Sequence, residues 1–137
     1  MTGIVIITHC ELGSALIEAA AFILGEHPRE VESITVDINE NPEKLRGDIA
    51  KAIKKVDHRS GVLLLTDMFG GTPSNLGYSF LEEDRIEVLS GVNLPILIKA
   101  VNAREKMSLG ELARTLEAYG RKSISLASGI LKGEKRS

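Results

Sequence analysis

The stretch Gly61-Val62-Leu63-Leu64-Leu65-Thr66-Asp67-Met68-Phe69-Gly70-Gly71-Thr72-Pro73 decides the fold. Gly61 to Leu65 is apolar throughout, without the alternation of a strand that has one wet face. Such a run suits a strand buried on both sides of a parallel sheet. Thr72-Pro73 reads as a helix start. Threonine caps free backbone N–H groups, and proline is tolerated in the first turn because its missing N–H would have had no partner. The spacing predicts a helix to about Glu82, so Asp67 to Thr72 is a loop at the carboxyl end of a buried strand.

The same alternation extends in both directions. Upstream, Ile4-Val5-Ile6-Ile7 is a second β-branched apolar run. Leu12, Leu16, Ala19, Ala20 and Ile23 then recur at helical spacing, with Gly25 as a stop. Val31 to Val36 alternates and reads as a more exposed strand. Asn41-Pro42 opens a helix whose buried stripe is Leu45, Ile49, Ala52, Ile53 and Val56. Downstream, Ile86-Glu87-Val88-Leu89 is a strand and Gly91-Val92-Asn93-Leu94-Pro95 the loop after it, with Pro95 in the first turn of another helix. Ser108-Leu109-Gly110-Glu111 matches a capping box, and Leu109, Leu112, Ala113 and Leu116 form the apolar face behind it. Ile124 and Leu126 suggest a last short strand. The order βαβαβαβα predicts an α/β fold: an open, doubly wound, mostly parallel sheet with helices on both faces.

Composition narrows the function. The chain has 137 residues and a formal net charge of −2, with basic and acidic residues interspersed and no basic stripe of the kind that nucleic-acid binding requires. Trp is absent and only five residues are aromatic, which argues against base stacking. The single cysteine, Cys10, excludes an intrachain disulfide and a zinc cluster built on several cysteines. No apolar run approaches the ~20 residues of a membrane span. The start shows no basic leader or cleavage site, so a cytoplasmic protein is expected. No linker or repeat divides residues 1–137, which reads as one domain. Lys132 to Arg136 is a short charged tail.

Ligands of open α/β sheets bind at the carboxyl ends of the strands, at the point where strand order reverses. That rule selects Thr8-His9-Cys10, Asp67 to Thr72, and Gly91 to Pro95. His9 ends a buried strand at the mouth of the sheet. If the strands carrying His9 and Asp67 are neighbours, the carboxylate orients the imidazole, fixes its tautomer and stabilises positive charge on it, leaving one ring nitrogen as a nucleophile. Gly70-Gly71-Thr72 at a helix start offers N–H groups and a hydroxyl to an anion. Taken singly, each has a bland reading: a loop histidine, an aspartate bonding its own turn, a helix cap. Together they point to phosphoryl transfer through a phosphohistidine. Neither nucleotide-binding glycine motif is present. A serine hydrolase would have only Ser74 available, without a Gly-x-Ser-x-Gly elbow. His27 and His58 fall in turns at the opposite end of the strands and read as solvated.

Ile7-Thr8-His9, the segment Thr66-Asp67-Met68-Phe69-Gly70-Gly71-Thr72-Pro73-Ser74-Asn75, and Gly91-Val92-Asn93-Leu94-Pro95 together resemble the IIA component of the mannose-type bacterial phosphotransferase system (PTS). The resemblance covers nearly the whole chain as one mannose-family EIIA domain. It implies a phosphotransferase component in which His9 is phosphorylated by phospho-HPr and donates to IIB, which phosphorylates an incoming sugar carried by the membrane components IIC and IID. It implies that Asp67 hydrogen-bonds His9, that Gly70, Gly71 and Thr72 contact the phosphate, and that no metal, nucleotide or other cofactor is needed. It also implies a homodimer in which a C-terminal strand, here near Arg121 to Ala127, crosses to the partner's sheet; because the chain ends after one domain, IIB is expected on a separate polypeptide. Phe69 and Asn93 are expected at a partner-docking surface. Cys10 departs from the family, where glycine is common; if that position needs positive φ, cysteine is strained there. Two rival readings share the site: a phosphorylatable regulatory module without a transport role, and the phosphoryl donor subunit of dihydroxyacetone kinase. Asp67-Met68 fits the latter as well, whereas Gly70 to Asn75 fits the mannose type.

Overall fold

The computed structural model describes residues 1–68 and 70–133. Glu134, Lys135 and Arg136 of the charged tail lie outside the described residues. Four strands, β1 (Gly3–His9), β2 (Val31–Val36), β3 (Val62–Thr66) and β4 (Ile86–Ser90), form one sheet in the order β2-β1-β3-β4. Every strand pairing in it is parallel. The expected open α/β sheet is therefore present, and β1 and β3 are neighbours.

The continuous apolar runs are explained by two cores. Ile4, Ile6, Leu63 and Leu65 point to one face, where α1 (Leu12–Leu24), α4 (Leu94–Ala103) and α5 (Leu109–Lys122) contribute Ile17, Ala20, Leu97, Leu112 and Leu116. Val5, Ile7, Val62 and Leu64 point to the other face, beneath α2 (Pro42–Val56) and α3 (Thr72–Tyr78), with Leu45, Ile49, Val56 and Leu76. The step from β1 to β2 runs opposite to the steps from β2 to β3 and from β3 to β4. Its helix, α1, lies on the opposite face from α2 and α3, as a single handedness of crossover demands.

Local signals set several boundaries. Asn41 caps α2 by accepting from the Glu43 N–H, and Ser108 and Glu111 make the reciprocal capping box of α5. Gly25 closes α1 in the left-handed conformation at φ 84°. Two expectations are corrected. α3 stops at Tyr78 rather than near Glu82, because the chain folds back and Glu82 bridges Ile86 at the start of β4. No strand forms at Ile124 or Leu126: α5 runs to Lys122, and Leu126 is already the extended cap of a further helix, α6 (Ala127–Leu131), which leaves too few residues between the two helices for a strand. Ile124 and Leu126 are 79% and 74% exposed.

At the amino end of the sheet, Arg104 is buried and donates to the carbonyls of Thr2, Arg29 and Glu30, which ties the starts of β1 and β2 to the end of α4. Burial depresses its pKa. Among the described residues, no helix is long and apolar enough to cross a membrane.

The end of α2 packs tightly on the sheet at Gly3, where a Cβ would collide with the carbonyl oxygen of Val56. Gly3→Ala is expected to lower stability by roughly 1–3 kcal/mol, the usual penalty of overpacking. Gly47, exposed in the middle of α2 with nothing near its missing Cβ, is the opposite case. Gly47→Ala should raise stability by about 0.5–1 kcal/mol. Urea unfolding of the two variants checks both signs.

Candidate functional site

β1 delivers His9 to the carboxyl end of the sheet, where β2 and β3 diverge on either side. The residue before it, Thr8, is fully buried, and its Oγ1 accepts the Gly13 N–H at 2.9 Å. Glu11 at the start of α1 makes no side-chain cap, so Thr8 supplies an acceptor for that first turn from the strand itself. Between them the chain reverses at Cys10, with φ 50°. This is the left-handed region, so the conditional expectation of strain at Cys10 holds. Its side chain is exposed.

Asp67 follows β3 directly. Its Oδ2 accepts two N–H groups from one residue, the backbone N–H of His9 at 2.9 Å and the ring Nδ1 at 2.8 Å. Oδ1 accepts the Met68 N–H at 3.0 Å. The Asp67 side chain is 10% exposed and that of His9 41%. Burial pushes the Asp67 carboxyl up, but the His9 backbone N–H, the His9 ring and the Met68 N–H outweigh it, and the group lies below its ordinary value of 3.8. A carboxylate only accepts hydrogen bonds. In the neutral ring the proton therefore sits on Nδ1, and the lone pair is left on Nε2.

The two glycines serve different purposes. Gly70 has φ 86°, a conformation that favours glycine, with open space where a Cβ would be. Gly71 lies against the histidine: a Cβ there would stand 3.2 Å from Cε1 of His9, so a larger residue would press on the ring. Two details differ from expectation. Thr72 is the first residue of α3 and Gly71 its cap, so the Thr72 hydroxyl makes no cap hydrogen bond. The Gly70 N–H donates to Ser74 Oγ at 3.0 Å, so this amide is engaged within the loop. Ser74, considered from sequence only as a hydrolase nucleophile, is fully buried and bonded to the glycine loop rather than to His9.

The remaining candidates fall elsewhere. Phe69 lies outside the described residues. Asn93 caps α4 by accepting the Ile96 N–H at 2.9 Å, and its Nδ2 donates to Ser123 Oγ at 3.2 Å, so its side chain links two helices. His27 contacts the Pro28 carbonyl and His58 pairs with Glu30, both remote from His9 in the turns that lead into β2 and β3. Among the described residues no three His, Cys, Asp or Glu side chains cluster as a metal site. Sequence reasoning named Thr8 and Ser74 but missed that their hydroxyls hold the backbone on either side of the site. The signal for both was a small hydroxyl residue beside a buried strand end or helix start.

A family model described as "PTS system fructose IIA component" matches residues 3–117. The chain is 33% identical over 136 residues to the fructose-specific EIIA component of the PTS of Bacillus subtilis, covering 98% of this chain and 92% of that one. It is 33% identical over 123 residues to the mannose-specific EIIAB component of Escherichia coli K12, covering 88% of this chain but 38% of that longer protein. Among solved structures, the EIIA component from Streptococcus agalactiae superposes with a TM-score of 0.83 at 25% identity, over 93% of this chain and 98% of that one.

Two measurements follow from the geometry. The lowered Asp67 pKa means that the folded chain keeps this carboxylate ionised where the unfolded chain already takes up a proton. Its contribution is complete above the unfolded value and is lost as pH falls through the folded one. As pH falls through and below the ordinary carboxylate range, wild type should lose more stability than Asp67→Asn in denaturant titrations; parallel curves would contradict this. At the turn, Cys10→Gly should raise stability by about 0.5–1 kcal/mol, the left-handed penalty less glycine's greater unfolded-state entropy. Calorimetric unfolding reads that difference directly.

Proposed function

The chain belongs to the EIIA-man family of PTS components, and from that premise we propose that it relays a phosphoryl group through His9, taking it from phospho-HPr and passing it to a IIB component. Family membership carries the coarser statement, a phosphoryl-carrier role in the sugar PTS. The site residues and their roles are our reading. The observation that supports it is the double acceptance by Asp67 Oδ2 of the His9 backbone N–H and ring Nδ1.

The chemistry balances without a cofactor. The Nε2 lone pair attacks phosphorus, a P–N bond forms there, and the bond from phosphorus to the donor breaks with its electron pair leaving on the donor. No proton has to leave His9. The positive charge that develops on the ring is shared through Nδ1–H with the Asp67 carboxylate. The Gly71 N–H and the Thr72 hydroxyl at the start of α3 are the groups we assign to the phosphoryl oxygens. Gly70 contributes the loop conformation, since its own N–H is engaged by Ser74. Transfer to IIB reverses the same step, and IIC and IID act downstream in sugar uptake.

The exposed Ile124 and Leu126, in the short segment between α5 and α6, together with the free edge of β4, support a homodimer in which this segment pairs with a partner's sheet. We place the protein in the cytoplasm, where its donor works.

Incubation with phosphoenolpyruvate, enzyme I and HPr, followed by mass spectrometry, tests the relay. Wild type should gain an acid-labile phosphoryl adduct, and His9→Ala should gain none. Asp67→Ala should remain folded and accept the group about tenfold more slowly or worse, one factor of ten for each ~1.4 kcal/mol of lost charge stabilisation. An adduct at the wild-type level in His9→Ala would refute the site.

A further inference from the structure

A buried hydroxyl brackets the loop that faces His9. Ser74 lies in the first turn of α3 with no exposed surface. Its Oγ accepts the Gly70 N–H at 3.0 Å and donates to the Gly71 carbonyl at 3.3 Å. The single hydroxyl proton and an acceptor lone pair are both engaged, so the hydroxyl has one defined direction. Its two partners belong to the peptide units on either side of the one that joins Gly70 to Gly71.

That central peptide would otherwise be the loosest part of the loop. Both residues lack a Cβ, Gly70 sits at φ 86°, and nothing lies within 4 Å of its missing Cβ. Gly71 nevertheless lies directly beside the ring, since an added Cβ there would stand 3.2 Å from Cε1 of His9. The Ser74 hydroxyl is not needed to start the helix, since the Asn75 N–H already reaches the Gly71 carbonyl at 3.0 Å. Nor is it needed to fill the site, which an alanine or cysteine side chain of similar size would also do. What the hydroxyl alone provides is the second anchor, on the Gly70 N–H.

We propose that Ser74 is a positioning residue for phosphoryl transfer: its hydroxyl holds the Gly70–Gly71 peptide in one orientation, so that the Gly71 N–H keeps a fixed direction beside the His9 ring. The inference rests on the relay reading. Donors preset toward developing charge accelerate transfer because they need not reorganise at the moment of reaction, and a small misplacement forfeits much of that gain.

Two variants test it. Ser74→Ala removes the hydroxyl, and Ser74→Cys keeps its volume with a much weaker hydrogen-bonding group. With phosphorylated HPr as donor, Ser74→Ala should take the phosphoryl group roughly tenfold more slowly at saturating donor, with KM for the donor nearly unchanged and Ser74→Cys falling between the two. Hydrogen exchange should show the Gly70 amide losing about tenfold or more of its protection in Ser74→Ala while the β1 and β3 amides keep theirs. Should Ser74→Ala fail to fold, Ser74→Cys carries both measurements. A wild-type rate in the variants, a loss expressed only in KM, or unchanged Gly70 exchange would each overturn the proposal while leaving the relay intact. Absence of any adduct in wild type would overturn the relay and this proposal together.

Discussion

One oxygen atom organises the carboxyl end of this sheet. Asp67 Oδ2 receives the backbone N–H and the ring Nδ1 of the same histidine, so it fixes at once where the strand ends and how the ring is turned. The carboxylate is largely buried, where such bonds are stronger than in water and an unmatched partner is costlier. The arrangement requires β1 to lie beside β3. This in turn requires α1 and α2 to cover opposite faces, and strands apolar enough to be buried under both layers.

That chain of dependence explains which features could be read from residues alone. The runs Ile4–Ile7 and Val62–Leu65 carry their burial on both faces in their composition, and the caps at Asn41 and Ser108 are local chemistry. Neighbouring strands then bring His9 and Asp67 together. Features that depend on distant partners were not legible. Arg104 binds carbonyls of residues far away along the chain, in Thr2, Arg29 and Glu30. Thr8 and Ser74 look like ordinary surface hydroxyl residues, yet both are buried and hold the backbone on either side of His9. The Thr72-Pro73 pair correctly signalled a helix start, but the loop geometry moved the cap to Gly71. Ile124 and Leu126 carry strand-like residues without a strand, because the segment is held between the end of α5 and the start of α6.

One local rule is broken right next to the histidine. Cys10 occupies a left-handed turn that suits glycine, directly after the strand. Backbone strain of this kind persists only where the surroundings hold it in place. Here the Thr8 bond to α1 on one side and the Asp67 bond to His9 on the other provide the restraint.

The imidazole is open along only part of its perimeter. Asp67 occupies Nδ1, and the absence of a Cβ at Gly71 leaves room beside Cε1, so the lone pair on Nε2 is the one not engaged by Asp67. Under the proposed relay, the same ring nitrogen both receives and gives the phosphoryl group, so donor and acceptor would compete for one corner of the imidazole and turnover would be a double displacement. In such a scheme, the throughput of the chain depends on residence times and on the relative abundance of its visitors as much as on bond making at nitrogen.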